Sequence, residues 1–134
     1  MKRSLGVWLL VIYAAFIALS HIAILVTLIP GVLPDDVQAA VRAVPPSAIA
    51  YVVVDVLLFG YTAVATWRMK RIAATLFVAG LASHVAMFAF HAFTMPDFFA
   101  TESQALFLPQ AIGTAIGLAA IVGSRRLMKR GVLV

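Results

Sequence analysis

Residues 5–29 read LGVWLLVIYAAFIALSHIAILVTLI, and this stretch contains no Asp, Glu, Lys or Arg. A helix that crosses about 30 Å of hydrocarbon needs roughly 20 mainly apolar residues. The stretch is longer than the core of a cleaved signal peptide, and no clear small-residue cleavage motif follows it. We therefore predict that residues 5–29 form a membrane-spanning helix.

The composition of the whole chain also indicates a membrane protein. Of its 134 residues, 64% are hydrophobic and only 11% are charged. A soluble domain of this length needs a polar surface that so few polar residues cannot supply, so we expect lipid to cover much of the chain. The sequence contains no cysteine, which excludes disulfides, thiolate chemistry and cysteine-held iron–sulfur or zinc sites.

Three further segments have the length and composition of membrane spans, namely residues 48–67, 72–94 and 102–123. The first of these three carries a single acid, Asp55. A chain of this length forms one domain. The sequence therefore predicts an all-α, polytopic membrane protein in which residues 1–134 form one four-transmembrane-helix bundle.

The connection between the first two spans is bounded by proline, which stops helices because it lacks an N–H and clashes with the preceding turn. The prolines are Pro30, Pro34, Pro45 and Pro46. Inside this connection, apolar residues recur at helical spacing after two aspartates; the apolar residues are Val37, Ala40, Val41 and Val44. The pattern predicts a short amphipathic helix in the first outer loop, lying on the membrane surface.

The other two connections are shorter. Residues 68–71 read RMKR, so we expect the second and third spans to form a tight antiparallel hairpin. The third connection ends in Thr101, which is followed three residues later by Gln104. This capping-box pattern predicts that the fourth helix starts at about residue 102.

The distribution of charge predicts the orientation of the spans. Nine basic residues lie on one side of a four-span arrangement: Lys2, Arg3, Arg68, Lys70, Arg71, Arg125, Arg126, Lys129 and Arg130. Only Arg42 lies on the other side. Since basic residues are retained in the cytoplasm, we expect both termini to be cytoplasmic and the protein to lie in a bacterial inner (plasma) membrane.

A faint internal repeat links the two halves of the chain. Residues 20–25 read SHIAIL in the first span and residues 83–88 read SHVAMF in the third. The second and fourth spans are followed by RMKR at residues 68–71 and LMKR at residues 127–130. The pattern favours a tandem repeat of two helical hairpins, both of which start on the cytoplasmic side.

Polar groups inside the spans cluster at one depth. A rise of about 1.5 Å per residue places His21, Asp55 and Gln110 about 12 Å and His84 about 16 Å below the predicted outer boundary. Each belongs to a different span. Ionisable groups inside a membrane are costly and mark candidate functional sites, so we predict a binding site in the outer half of the bundle.

Two more residues extend this candidate site. His91 lies seven residues after His84 on the same helical face, nearer the outer end. Tyr51 lies one turn outward from Asp55. Both are candidates for binding a ligand or a proton.

Three functional hypotheses remain open at this stage. No catalytic motif is present, which favours a non-enzymatic accessory or ligand-binding membrane protein in which Asp55 accepts hydrogen bonds from its neighbours. The alternative is a small cation- or proton-coupled transporter that uses Asp55 as its titrating group. The third is a redox subunit that binds b-type haem or quinone, with His21 and His84 as the metal ligands.

The partners follow from the same features. Gly113 and Gly117 form a GxxxG pattern on the fourth span, which lets helix backbones approach closely. These glycines are expected to pack helices within one chain or across a homo-oligomer or larger membrane complex. The basic residues flank apolar spans and form no separate basic face, so we predict the lipid bilayer as partner and no nucleic acid.

Overall fold

The computed structural model describes residues 4–42, 44–94 and 96–134, with side chains other than those of residues 36, 40–42 and 96–107. These residues form five helices and no strand. The helices are α1 (Leu5–Thr27), α2 (Asp35–Arg42), α3 (Pro46–Trp67), α4 (Ile72–Thr94) and α5 (Pro96–Lys129).

Four of the helices are long and apolar enough to cross a membrane: α1, α3, α4 and the part Leu108–Lys129 of α5. Their outer faces carry large apolar side chains, of which Phe93 is 87% exposed and Leu57 is 68% exposed. Such continuous apolar surface is unusual in a soluble monomer and is what a lipid environment requires. The prediction of an all-helical chain with four membrane-length helices is confirmed.

The start of α5 differs from the sequence-based prediction. The backbone is already helical at Pro96 and stays helical through residues 101–104, so the predicted start at about residue 102 is wrong. Proline suits the first turn of a helix, because the N–H it lacks would have no partner there. Pro109 lies inside α5 and does not end it.

The four long helices form a ring of neighbours. α1 packs against α3, α3 against α4, α4 against α5, and α5 against α1. Trp8 near the start of α1 meets Trp67 at the end of α3 edge-on, with ring centroids 5.1 Å apart. The described ends of the chain therefore lie at one end of the bundle, called here the terminal end; the opposite end carries α2 and is called the α2 end.

The short helix α2 is joined to α1 through the buried side chain of Gln38. Gln38 is 3% exposed, and its Nε2 donates a hydrogen bond to the Thr27 carbonyl oxygen at 3.2 Å. Thr27 is the last residue of α1, and carbonyls in the last turn of a helix have no partner within it. Gln38 therefore caps α1, while the placement of α2 on a membrane surface stays a prediction.

The last residues of the sequence fold back onto the connection between α3 and α4. The Val134 N–H donates to the Met69 carbonyl at 2.7 Å, and the Val134 oxygen accepts from the Arg71 N–H at 3.1 Å. Leu133 beside it is fully buried. No sequence pattern predicted this contact, which ties the end of the chain to the terminal end of the bundle.

The middle of the bundle is filled by three aromatic rings, called here the aromatic cluster. Tyr13 of α1 stacks on Phe77 of α4, with centroids 6.2 Å apart, and meets Phe59 of α3 edge-on at 6.3 Å. Phe59 is accommodated because Gly80 of α4 has no side chain: a Cβ there would lie 2.7 Å from the Phe59 Cζ.

We expect Gly80→Ala to destabilise the bundle, because the added methyl group would overlap the Phe59 ring. Overpacking of this kind costs about 1–3 kcal/mol. Thermal unfolding in detergent measures the loss, and Phe59→Leu introduced together with Gly80→Ala should restore part of it.

Gly60→Ala on α3 is the matched control, since no atom lies within 4 Å of a Cβ at that position. Alanine is favoured over glycine inside a helix by up to about 1 kcal/mol, so this variant should be at least as stable as the unmodified chain. Equal destabilisation by both substitutions would contradict the packing described.

Candidate functional site

A cavity of about 60 Å³ lies in the bundle interior on the α2 side of the aromatic cluster. Its lining comes from all four long helices: Tyr13, Ile17, His21, Asp55, Phe59, Gly80, Leu81, His84 and Gly113. We call it the polar cavity. Its volume exceeds the minimum of about 10–15 Å³ that one water molecule needs, so it has room for a few waters or a small ion.

Helical spacing brings these side chains together. Tyr13, Ile17 and His21 are each four residues apart on α1 and therefore lie on one face. Asp55 and Phe59 share a face of α3 in the same way. Because α1 and α3 pack side by side, the two faces meet at the cavity.

The backbone of α1 fixes the orientation of the His21 ring. Its Nδ1 lies 2.8 Å from the Ile17 carbonyl oxygen. A carbonyl oxygen can only accept a hydrogen bond, so Nδ1 must carry a hydrogen and donate. The other ring nitrogen, Nε2, then lies 3.4 Å from Oδ2 of Asp55, a residue that is only 1% exposed.

This geometry favours one more proton on the pair. A neutral imidazole protonated at Nδ1 has a bare acceptor at Nε2, which would face an acceptor oxygen of the carboxylate. The bare pair would also carry an uncompensated negative charge in an apolar interior, which is strongly unfavourable. A single proton removes both problems, either as imidazolium and carboxylate or as imidazole and carboxylic acid. The pair is then electrically neutral.

A second polar pair borders the first. The Tyr51 hydroxyl of α3 lies 3.0 Å from Nδ1 of His84 on α4, and either group can be the donor. Tyr51, Ser83 and His84 also lie close enough to the Asp55 carboxyl group to interact with it. Oδ1 of Asp55 is buried without a hydrogen-bond partner among the described residues, so it is free to accept from a molecule in the cavity.

The structure groups some of the predicted site residues and separates others. His21, Asp55 and His84 line the polar cavity, and Tyr51 contacts His84. Gln110 does not line it, although it was predicted at the same depth. His91 lies outside it too, with its ring 5.6 Å from that of Phe90.

The two glycines of the GxxxG pattern face the bundle interior. A Cβ at Gly117 would lie 2.9 Å from Leu81 of α4, and a Cβ at Gly113 would lie 3.7 Å from Nε2 of His84. They allow α5 to approach α4 closely, and Gly113 forms part of the cavity wall. Because both glycines face α4, this pattern packs helices within one chain.

Tyr13 and Ser83 are the polar residues at this site that the sequence-based analysis did not include. Tyr13 lies two helical turns before His21, and Ser83 directly precedes His84. The spacing of eight residues could have indicated Tyr13 as a neighbour on the same face.

The polar cavity itself is too small to hold haem or quinone, while the hypothesis of a redox subunit is otherwise untested. An engineered cavity of about 150 Å³ accommodates one benzene ring, so about 60 Å³ is too small for a quinone ring and far too small for a porphyrin. His21 and His84 are also held by Ile17 and Tyr51. Among the described residues, no three His, Asp or Glu side chains are placed to hold one metal ion.

The shared proton predicts strong energetic coupling between His21 and Asp55. His21→Leu should destabilise the protein by about 3–5 kcal/mol, because it leaves a buried carboxyl group without its partner. Asp55→Leu should cost less, since Ile17 still accepts from the remaining ring. The double variant should be close to the unmodified chain, because an apolar pair can replace a buried ion pair with little loss.

His91→Leu is the matched control, because His91 lies on a different part of α4 and outside the cavity. Its effect should add to that of Asp55→Leu within about 0.5 kcal/mol. Unfolding free energies of the single and double variants in detergent give both coupling energies. Additive effects of His21→Leu and Asp55→Leu would show that the two side chains do not share a proton.

Comparison with known proteins does not suggest a function for this chain. No protein family, curated protein or solved structure matches this chain. The functional argument therefore depends on the geometry of the polar cavity.

Proposed function

We propose that this chain is a non-enzymatic inner-membrane protein that binds one proton between His21 and Asp55, next to a small polar ligand in the polar cavity. The observation that carries the proposal is the hydrogen bond from His21 Nδ1 to Ile17, which directs Nε2 toward the buried carboxyl group. A site held in this way binds a proton in the folded state, and release of that proton leaves an uncompensated negative charge in the bundle interior.

The size and polarity of the cavity define the ligand class. About 60 Å³ admits water or a small ion such as ammonium or sodium. Oδ1 of Asp55 offers an unused acceptor, and His84 adds a second polar group to the wall. This unused acceptor favours a ligand that donates a hydrogen bond.

The charge distribution supports an orientation for this site. Seven of the eight described basic residues lie at the terminal end, namely Arg68, Lys70, Arg71, Arg125, Arg126, Lys129 and Arg130; the eighth, Arg42, belongs to α2. By the positive-inside rule this end is cytoplasmic, which places the polar cavity nearer the outer face of a bacterial inner membrane. The aromatic cluster then separates the cavity from the cytoplasm.

Asp55→Asn tests the proposal. The asparagine amide can donate a hydrogen bond to His21 Nε2, so the fold should persist while the carboxyl proton is lost. Infrared difference spectra between acidic and alkaline samples in lipid nanodiscs should show a carboxyl band in the unmodified protein and lose it in Asp55→Asn.

The matched control is His91→Asn, which should keep that band because His91 does not line the cavity. Nitrogen NMR of labelled histidine should also show His21 Nδ1 protonated at every pH at which the protein is folded. A carboxyl band that survives Asp55→Asn, or a His21 ring that loses its Nδ1 proton, would contradict the proposal.

A proton-coupled transporter is the second candidate, and one observation favours it. All four long helices contribute to the polar cavity, so a change in charge at Asp55 acts on every packed element of the bundle. Passage to the terminal end needs a rearrangement, however, because Thr62, Thr66 and Ser124 each donate to a carbonyl of their own helix. Proton-driven flux into liposomes that is abolished by Asp55→Asn would favour this role over simple binding.

A further inference from the structure

A second pocket of about 430 Å³ opens at the terminal end, between the end of α3 and the start of α4. We call it the basic pocket. Three of the side chains that line it are basic and none is acidic. The lining consists of Tyr61, Val64, Ala65, Arg68, Lys70, Arg71, Ile72 and Val134. It lies at the opposite end of the bundle from α2 and does not share a residue with the polar cavity.

Backbone hydrogen bonds hold the basic residues in place. Lys70 N–H donates to the Ala65 carbonyl at 2.8 Å, and Met69, with φ of 53°, reverses the chain direction. The Arg71 N–H donates to Val134 at 3.1 Å. The connection is therefore fixed at both ends by main-chain contacts, which leaves the three cationic side chains exposed for binding.

No Asp or Glu side chain pairs with these cations in the part of the chain that the structure describes. The one ion pair found there joins His21 to Asp55 in the bundle interior. Arginine binds phosphate through paired N–H donors, and lysine adds a point charge. The pocket therefore offers charge complementarity to a phosphate group.

The remaining walls of the basic pocket are apolar and belong to membrane-length helices. Tyr61 is 54% exposed, and Val64 and Ile72 are each 47% exposed. Since α3 ends at Trp67, Val64 and Tyr61 lie about one and two turns into the span. A ligand that fits both parts of the pocket carries an anionic group at one end and an apolar chain at the other.

We infer that the basic pocket binds an anionic phospholipid, with its phosphate against Arg68, Lys70 and Arg71 and an acyl chain along Tyr61 and Val64. Pockets that combine basic side chains with the ends of spanning helices have the chemistry that anionic headgroups require. This inference is independent of the proton site, because the two pockets lie at different levels of the bundle.

The test measures the binding of phosphatidylglycerol and phosphatidylcholine to the full chain in neutral detergent by native mass spectrometry. The unmodified chain should bind the anionic lipid preferentially. The combined variant Arg68→Gln/Lys70→Gln/Arg71→Gln should bind it about 100-fold more weakly, given roughly fivefold per basic side chain at a membrane surface. Asp55→Asn should leave the affinity for this lipid unchanged.

The matched control is Arg125→Gln/Lys129→Gln/Arg130→Gln, which removes the same charge at the same end without altering the pocket lining. It should keep the affinity within about threefold, since exposed charges further away are screened by salt. Equal weakening by the two combined variants, or equal binding of the zwitterionic lipid, overturns the inference.

Soluble anions distinguish a lipid site from a free phosphate site. Inorganic phosphate and glycerol phosphate carry the same charged group without an acyl chain, and they should bind much more weakly than the lipid. Tight binding of either one overturns the assignment to a lipid. Should the combined variant not fold, Arg68→Gln and Arg71→Gln are examined singly. Each should then reduce the rise in melting temperature that phosphatidylglycerol causes, and an unchanged rise overturns the inference.

Discussion

A carboxyl group that lies inside an apolar bundle has to be compensated, and the compensation of Asp55 constrains the rest of the structure. Ile17 fixes the His21 ring from within α1, and the ring in turn brings its second nitrogen to Asp55 of α3. The contact works only in one register of α1 against α3, because a shift by one residue would turn either side chain away. The polar cavity and the shared proton both depend on this register.

The two sides of the cavity are built from different interactions. On the α2 side, Tyr51 joins α3 to α4 through His84. On the terminal side, the aromatic cluster closes the bundle, and the buried hydroxyls of Thr62 and Thr66 bond to their own helix. Among the described residues, ion pairing across helices is therefore found at the level of the polar cavity. A proton at Asp55 can consequently alter helix packing there, while the terminal end stays fixed by Val134 and the connection that it contacts.

Hydropathy and charge were sufficient to predict four membrane-length helices, because span length and the cost of buried charge are local properties of the chain. Depth counting also indicated His21, Asp55 and His84, which the structure places around one cavity. Depth says nothing about the direction in which a side chain points, which is why Gln110 was included and Tyr13 was missed. The contact between Val134 and Met69 joins residues 65 positions apart through backbone atoms, and backbone pairing of this kind leaves no side-chain pattern in the sequence.

If the chain is a duplicated hairpin, its two halves can be compared residue by residue at this site. Alignment of residues 68–71 with residues 127–130 places Tyr51 opposite Gln110 and Asp55 opposite Thr114. Each half would then supply a polar pair at a spacing of four residues, yet only the pair of the first half, Tyr51 and Asp55, contains an acid. The Thr114 hydroxyl donates to the Gln110 carbonyl within α5 and so needs no partner from another helix. Two carboxyl groups at one level of such a small cavity would repel each other and need a second proton. A single acid, paired with a single oriented imidazole, is the arrangement that stays neutral with one proton.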